Sequence, residues 1–158
     1  MATVRVQDAP FDTGAEIAAL LAGRVDIGGI GCFVGTVRGT AAGCPITAMT
    51  LEHYPGMTER ALERIAADAE ARWPLLGCTI VHRTGRLVPG DPIVLVLTAS
   101  PHRQAALDST AFLIDWLKTK APFWKQEQFA SGETAWVAAN HADNDATARW
   151  DGKQAEPL

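Results

Sequence analysis

No stretch of this 158-residue chain approaches the ~20 consecutive apolar residues of a membrane span. Its opening, MATVRVQDAPFD, lacks the charged and then apolar pattern of a secretory leader, so a cytoplasmic protein is expected. Basic charge is scarce as well. With 14 Lys+Arg against 18 Asp+Glu the net charge is −4, which removes the broad positive surface that general nucleic-acid binding needs. The three cysteines, Cys32, Cys44 and Cys78, are far apart and form no Cys-x-x-Cys, which argues against a disulfide framework or a zinc knuckle. Reduced and mostly buried thiols are expected. The glycine-rich segment 28-GGIGCFVGTVRG-39 contains no GxGxxG in register and no Gly-Lys-Ser/Thr, so neither a dinucleotide fold nor a P-loop is indicated. No Ser/His/Asp motif, metal-ligand spacing, paired-carboxylate motif, internal repeat or linker stands out. What remains is a chain 47% hydrophobic and 20% charged, enough for one soluble domain to bury its own core.

The apolar periodicities alternate between strand and helix. Thr13-Gly-Ala-Glu16 has capping-box spacing and leads into a short helix through Ile17, Leu20 and Leu21, stopped at Gly23. Residues 28–39 read as a strand followed by the loop 39-GTAAGCP-45, and 46-ITAMTLEHY-54 as another strand. Pro55-Gly56 then turns the chain into a helix carrying Leu62, Ile65, Ala69 and Trp73, halted before Pro74. Strands are predicted at 78-CTIVHR-83 and 93-IVLVL-97, the second β-branched and apolar enough for a sheet centre, with Val88-Pro-Gly-Asp91 turning between them. Ser100 is the expected N-cap, and Pro101 the first residue, of a largely buried helix that ends where Pro122 disfavours helix at Ala121. A short strand around 135-AWVA-138 and a polar tail from His141 complete a mixed α+β or α/β domain.

Cations gather at both ends of that helix. His102 and Arg103 fall in its first turn, where free N–H groups and the helix dipole repel positive charge and attract anions. An anionic ligand, most naturally a phosphate held by a bidentate Arg, removes the conflict, as does an Arg103 that turns away to a surface carboxylate. Arg38 closes 35-GTVRG-39, where backbone is able to approach a ligand closely. At the far end, 117-LKTKAPFWKQE-127 sets Lys118, Lys120 and Lys125 around a Pro-Phe-Trp break. An apolar wall of Phe123, Trp124 and Trp116 makes a lysine harder to keep protonated and hence useful in proton transfer; equally, those lysines solvate a helix end.

The blocks 36-TVRG-39, 51-LEHYPGMTE-59, 81-VHRTGRLVPGD-91, 102-HR-103 and 117-LKTKAPFWK-125, in that order and spacing, resemble the large, catalytic subunits of molybdopterin synthase, the MoaE family. The resemblance runs from about residue 4 to residue 150 and implies an α+β, single-domain α/β-hammerhead fold over 1–150, with 151–158 a polar C-terminal tail for which it offers no reading. It also implies a homodimer and a small ubiquitin-like partner whose Gly-Gly C-terminus carries a thiocarboxylate, together forming a heterotetramer. The implied reaction is a sulfurtransferase reaction, the conversion of cyclic pyranopterin monophosphate into dithiolene molybdopterin by two sulfur transfers, with no metal or organic cofactor on this subunit.

By motif position, Lys118 and Lys125 are the implied catalytic residues. Thr36, Val37, Arg38, His102, Arg103, Gln126 and Glu127 join them in holding the pterin. Two positions depart from the family: Lys120 stands where Arg is frequent, and Pro101 replaces a small residue before His-Arg. Two other functions stay open. A noncatalytic pterin-binding adaptor docking a ubiquitin-like protein needs neither lysine, and a Schiff-base enzyme needs only one.

Overall fold

The computed structural model describes residues 2–137 and 141–151, with the backbone alone for 141–144. A four-stranded sheet lies at its centre, built from β1 (Thr3–Gln7), β2 (Gly29–Thr36), β5 (Gly77–Arg83) and β7 (Pro92–Ser100) in the order β1-β5-β7-β2. β1 runs parallel to β5, whereas β7 is antiparallel to both β5 and β2. The unbroken apolar run of β7 follows from burial on both faces. Val94 and Val96 point into the main core with Leu62, Ile65, Phe112 and Leu113, while Leu95 and Leu97 meet Phe11, Ile17 and Leu20 on the other side. Helix α1 (Thr13–Leu21) thus covers one face, and α2 (Met57–Arg72) and α3 (Arg103–Lys120) the other.

The second sheet carries β3 (Thr40–Ala41), β4 (Cys44–His53), β8 (Phe123–Phe129) and β9 (Thr134–Trp136) in that order, with β6 (Gly85–Leu87) also paired to β4. β8 lies where the sequence reading has a helix end and a Pro-Phe-Trp break but no strand. The expected loop at 39–45 is instead a tight hairpin, in which Ala42 and Gly43 take left-handed φ of 51° and 79°.

Several expected boundaries move. Asp12, not Thr13, caps α1, accepting the Ala15 N–H at 2.9 Å, and Glu16 turns away to pair with Arg5. Ser100 stays in β7 opposite Gly29 and its hydroxyl accepts the His102 N–H at 3.3 Å, so His102 is the N-cap residue of α3 and Arg103 the first helical residue. The polar tail expected from His141 is helical over α4 (His141–Ala148). Beyond α4, Trp150 packs edge-on against Trp73 and Phe112 and donates its indole N–H to Asp115 at 2.7 Å. Of the predicted strand at 135–138, Ala138 lies outside the described residues, as do 152–158 of the expected tail. Only one thiol meets the expectation of burial: Cys78 is buried, whereas Cys32 and Cys44 are exposed, the former on an edge strand and the latter beside the 42–43 turn.

Candidate active site

Helix α3 ends at Ala121, whose extended φ/ψ of −77° and 131° leads directly into β8. Lys118 stands exposed in the last helical turn, and Lys120 lies over the Trp116 ring at 5.7 Å. In β8 the side chains alternate. Phe123, Lys125 and Glu127 pair with His53, Leu51 and Met49 and share one face, whereas Trp124 and Gln126 occupy the other. Trp124, expected to wall a lysine, is therefore on the face opposite Lys125 and is itself exposed.

Phe123, expected in that wall, does share the Lys125 face, and it stacks on a residue that sequence reasoning passed over. His82 on β5 is 2% exposed and stacks on Phe123 with ring centroids 3.7 Å apart and planes 17° from parallel. Its Nδ1 lies 2.8 Å from the Arg83 carbonyl oxygen. A carbonyl only accepts, so Nδ1 carries the proton and donates. Burial pushes the imidazole pKa down to about 3; the Arg83 bond opposes it, and the smaller positive fields of Lys125, Lys118 and the neighbouring His53 add to the lowering. Both lysines therefore act electrostatically on one neutral ring.

The 51–59 motif braces this corner. Thr58, fully buried, donates its hydroxyl to the Pro122 carbonyl at 3.0 Å and accepts the Tyr54 N–H at 3.0 Å, tying the start of α2 to the turn before β8. Gly56 sits at φ 82°, a conformation that suits glycine, and donates its N–H to Glu59 Oε2 at 2.6 Å. Glu59 Oε1 is 3.6 Å from His53 Nε2, so the carboxylate orients the histidine paired with Phe123 across the strands. The visible signal for His82 was a histidine inside an otherwise buried strand run. For Thr58 and His53 no local signal existed, since their partners lie across the fold.

The remaining candidates divide between the two ends of α3. His102 and Arg103 are exposed at its N-terminus, in a first turn that has no acidic residue. Lys118 is fifteen residues further on, about 22 Å along the axis, more than the ~13 Å the two side chains span together. β2 runs beside α3 in the same sense, with Gly29 against Arg103 and Gly31 against Ala106 and Thr110. Exposed Thr36 and Arg38, at and beyond the far end of β2, accordingly lie toward the lysine end. Val37 between them is buried, with its N–H given to Asp91 and its carbonyl taken by Gly90. Its part is to hold Thr36 and Arg38 outward.

Two lysines acting on a neutral aromatic stack, with further exposed cations at Arg38, His102 and Arg103, make a local positive surface suited to an anionic ligand. The family model described as "MoaE protein" matches residues 6–120. The chain belongs to the MoaE protein family. It is 53% identical over 150 residues to the molybdopterin synthase catalytic subunit of Ralstonia nicotianae, covering 95% of this chain and 85% of that one. The counterpart from Pseudomonas aeruginosa is 54% identical over 148 residues, with coverage of 94% and 98%. Among solved structures, the molybdopterin biosynthesis MoaE protein of Burkholderia ambifaria superposes with a TM-score of 0.82 at 52% identity, covering 97% of this chain and all of that one. For this MoaE-family chain the matched model ends at Lys120, so β8 with Lys125 and the docked α4 lie beyond it.

Proposed function

We propose that the chain is the catalytic subunit of a molybdopterin synthase, a sulfurtransferase that takes sulfur from the thiocarboxylated C-terminus of a small ubiquitin-like subunit and delivers it twice to cyclic pyranopterin monophosphate. The observation that carries this reading is that Lys125 shares a face of β8 with Phe123, which stacks on His82, and that Lys118 and Lys125 both act on that neutral ring. Thiocarboxylate and phosphate are both anions, and two ammonium groups at a partly dry wall stabilise negative charge as it develops during sulfur transfer. A lysine that releases a proton at the right step also serves as general acid or base. Arg38 and Thr36, with Glu127 on the Lys125 face, join the lysine end of the site in this reading, whereas Gln126 is on the opposite face of β8.

His102 and Arg103 belong to the same substrate in this reading, but not within one chain. The length of α3 supports a site shared across a homodimer, in which the N-terminal cations of one protomer reach the lysine end of its partner. The assembly with two small subunits is then a heterotetramer.

The test is single-turnover formation of dithiolene from the pterin monophosphate and the thiocarboxylated small subunit. Lys118→Ala and Lys125→Ala are each expected to lower the rate ~10²-fold or more with folding and partner binding intact. Lys118→Arg separates the roles: recovery assigns an electrostatic one, and continued loss a proton transfer or a strict steric demand. Near-normal turnover by folded Lys118→Ala protein would defeat the mechanism.

A further inference from the structure

Among the described residues two titratable side chains are buried, Cys78 and His82. Cys78 lies in the apolar core with Ile80 and Leu62, whereas His82 faces the chemistry. It is also unusually well fixed. β5 is an interior strand whose His82 pairs with Val6 of β1 on one side and Val94 of β7 on the other, and the Nδ1–H bond to Arg83 stops the ring from turning. Phe123 has the opposite character, being the first residue of β8 and only one residue past the Ala121-Pro122 turn. The stack therefore joins the rigid central sheet to the strand that presents Lys125, at the point where that strand begins.

We propose that His82 is a positioning residue for the lysine pair: a neutral ring, locked as the Nδ1–H tautomer, that holds Phe123 flat and thereby fixes the direction in which Lys125 leaves β8 toward Lys118. Alternation carries the constraint forward, because Phe123 and Lys125 are two residues apart on one face. The charged and titratable groups around the ring suit a neutral imidazole. Lys125, Lys118 and His53 all act on it with positive charge, and Glu59, the carboxylate paired with His53, already accepts the Gly56 N–H. An imidazolium there would meet the like charge of both lysines, and among the described residues no carboxylate contributes to the shift of the ring's pKa. The inference rests on reading the lysines as the reacting pair.

The experiment compares His82→Ala, His82→Asn and His82→Phe in the reconstituted complex with the small subunit, with Lys118→Ala and Lys125→Ala run alongside. Positioning predicts that His82→Ala lowers the single-turnover rate about tenfold to a hundredfold, the scale of a misplaced group, while pterin affinity stays within about twofold. His82→Phe keeps a flat ring and is expected to recover most of the rate. His82→Asn keeps only a donor and is expected to recover little. If His82→Ala does not fold, the Phe and Asn variants still decide the matter, since a fast Asn variant or a slow, folded Phe variant overturns the proposal. Ring ¹⁵N spectra of the unmodified protein add a readout independent of turnover. The neutral Nδ1–H tautomer is expected throughout pH 8 to 5, and an Nε2–H tautomer or a titration near the ordinary histidine value would also overturn it. Inactive lysine variants with fully active His82 variants would remove positioning and leave the sulfurtransferase reading standing. Active lysine variants would remove that reading itself.

Discussion

At the scale of single residues, His82 makes acid stability measurable as well as shaping the site. Its pKa in the fold is about 3 against an ordinary 6.5, so between those values the unfolded chain binds a proton that the native chain refuses. Stability therefore rises with pH across that window and is lost as pH falls through it, by about 2 kcal/mol from this residue between pH 7 and pH 5. Denaturant titrations at the two pH values check this. His82→Phe is expected to flatten the slope, and identical slopes in the two proteins would mean that the imidazole is not held neutral. The residue-level cations were legible from the chain because Arg103 in a first helical turn opposes the helix field and so calls for an explanation. His82 was not legible, because a buried histidine looks the same on paper whether it fills space or faces a lysine.

Among elements, the ones read correctly are those whose apolar faces point at apolar partners: β7, α2 and the body of α3. β8 failed for the reason that makes it interesting. Its inward face carries Lys125 and Glu127 between two phenylalanines, so the strand that builds the site lacks the apolar alternation by which strands are recognised. The eight residues of α4 are too few to be helical alone, and the contacts that secure the segment come from Asp115 and Trp73 far back in the chain. The close approach of β2 to α3 was foreshadowed by its glycines. At Gly31 a Cβ would collide with the Thr110 hydroxyl and with the Ala106 carbonyl to which that hydroxyl donates at 2.9 Å, whereas Gly39 has no atom within 4 Å of that position. Gly31→Ala is accordingly expected to destabilise by about 1–3 kcal/mol and Gly39→Ala by little, read as shifts in denaturation midpoint. Equal midpoints would show that β2 is free to move away from α3.

For the whole molecule, the two ends of α3 set the decisive test. If each site takes His102 and Arg103 from one protomer and the lysines from the other, Lys118→Ala and Arg103→Ala proteins are each impaired, yet mixing them after dissociation restores activity. Random pairing makes half of the dimers mixed, and each mixed dimer holds one intact site, so about a quarter of the unmodified activity is expected. No recovery from a mixture shown to have exchanged subunits would return all the cations to one chain. This level was least legible in the sequence, which shows cations near in number but not that a straight helix holds them apart.

The docked C-terminal segment has a consequence in time. Thr147 shares a hydrogen bond with Thr119, the residue after Lys118, at 2.9 Å, and Trp150 and Arg149 both hold Asp115 one turn earlier. Ribosomes make these residues after everything they secure. At synthesis rates of roughly 5–20 residues per second, the central sheet and both lysines emerge a few seconds before the residues that pin the lysine end of α3. A nascent chain thus acquires its lysines before it acquires their final setting, and the C-terminal end of α3 is among the last places to become rigid.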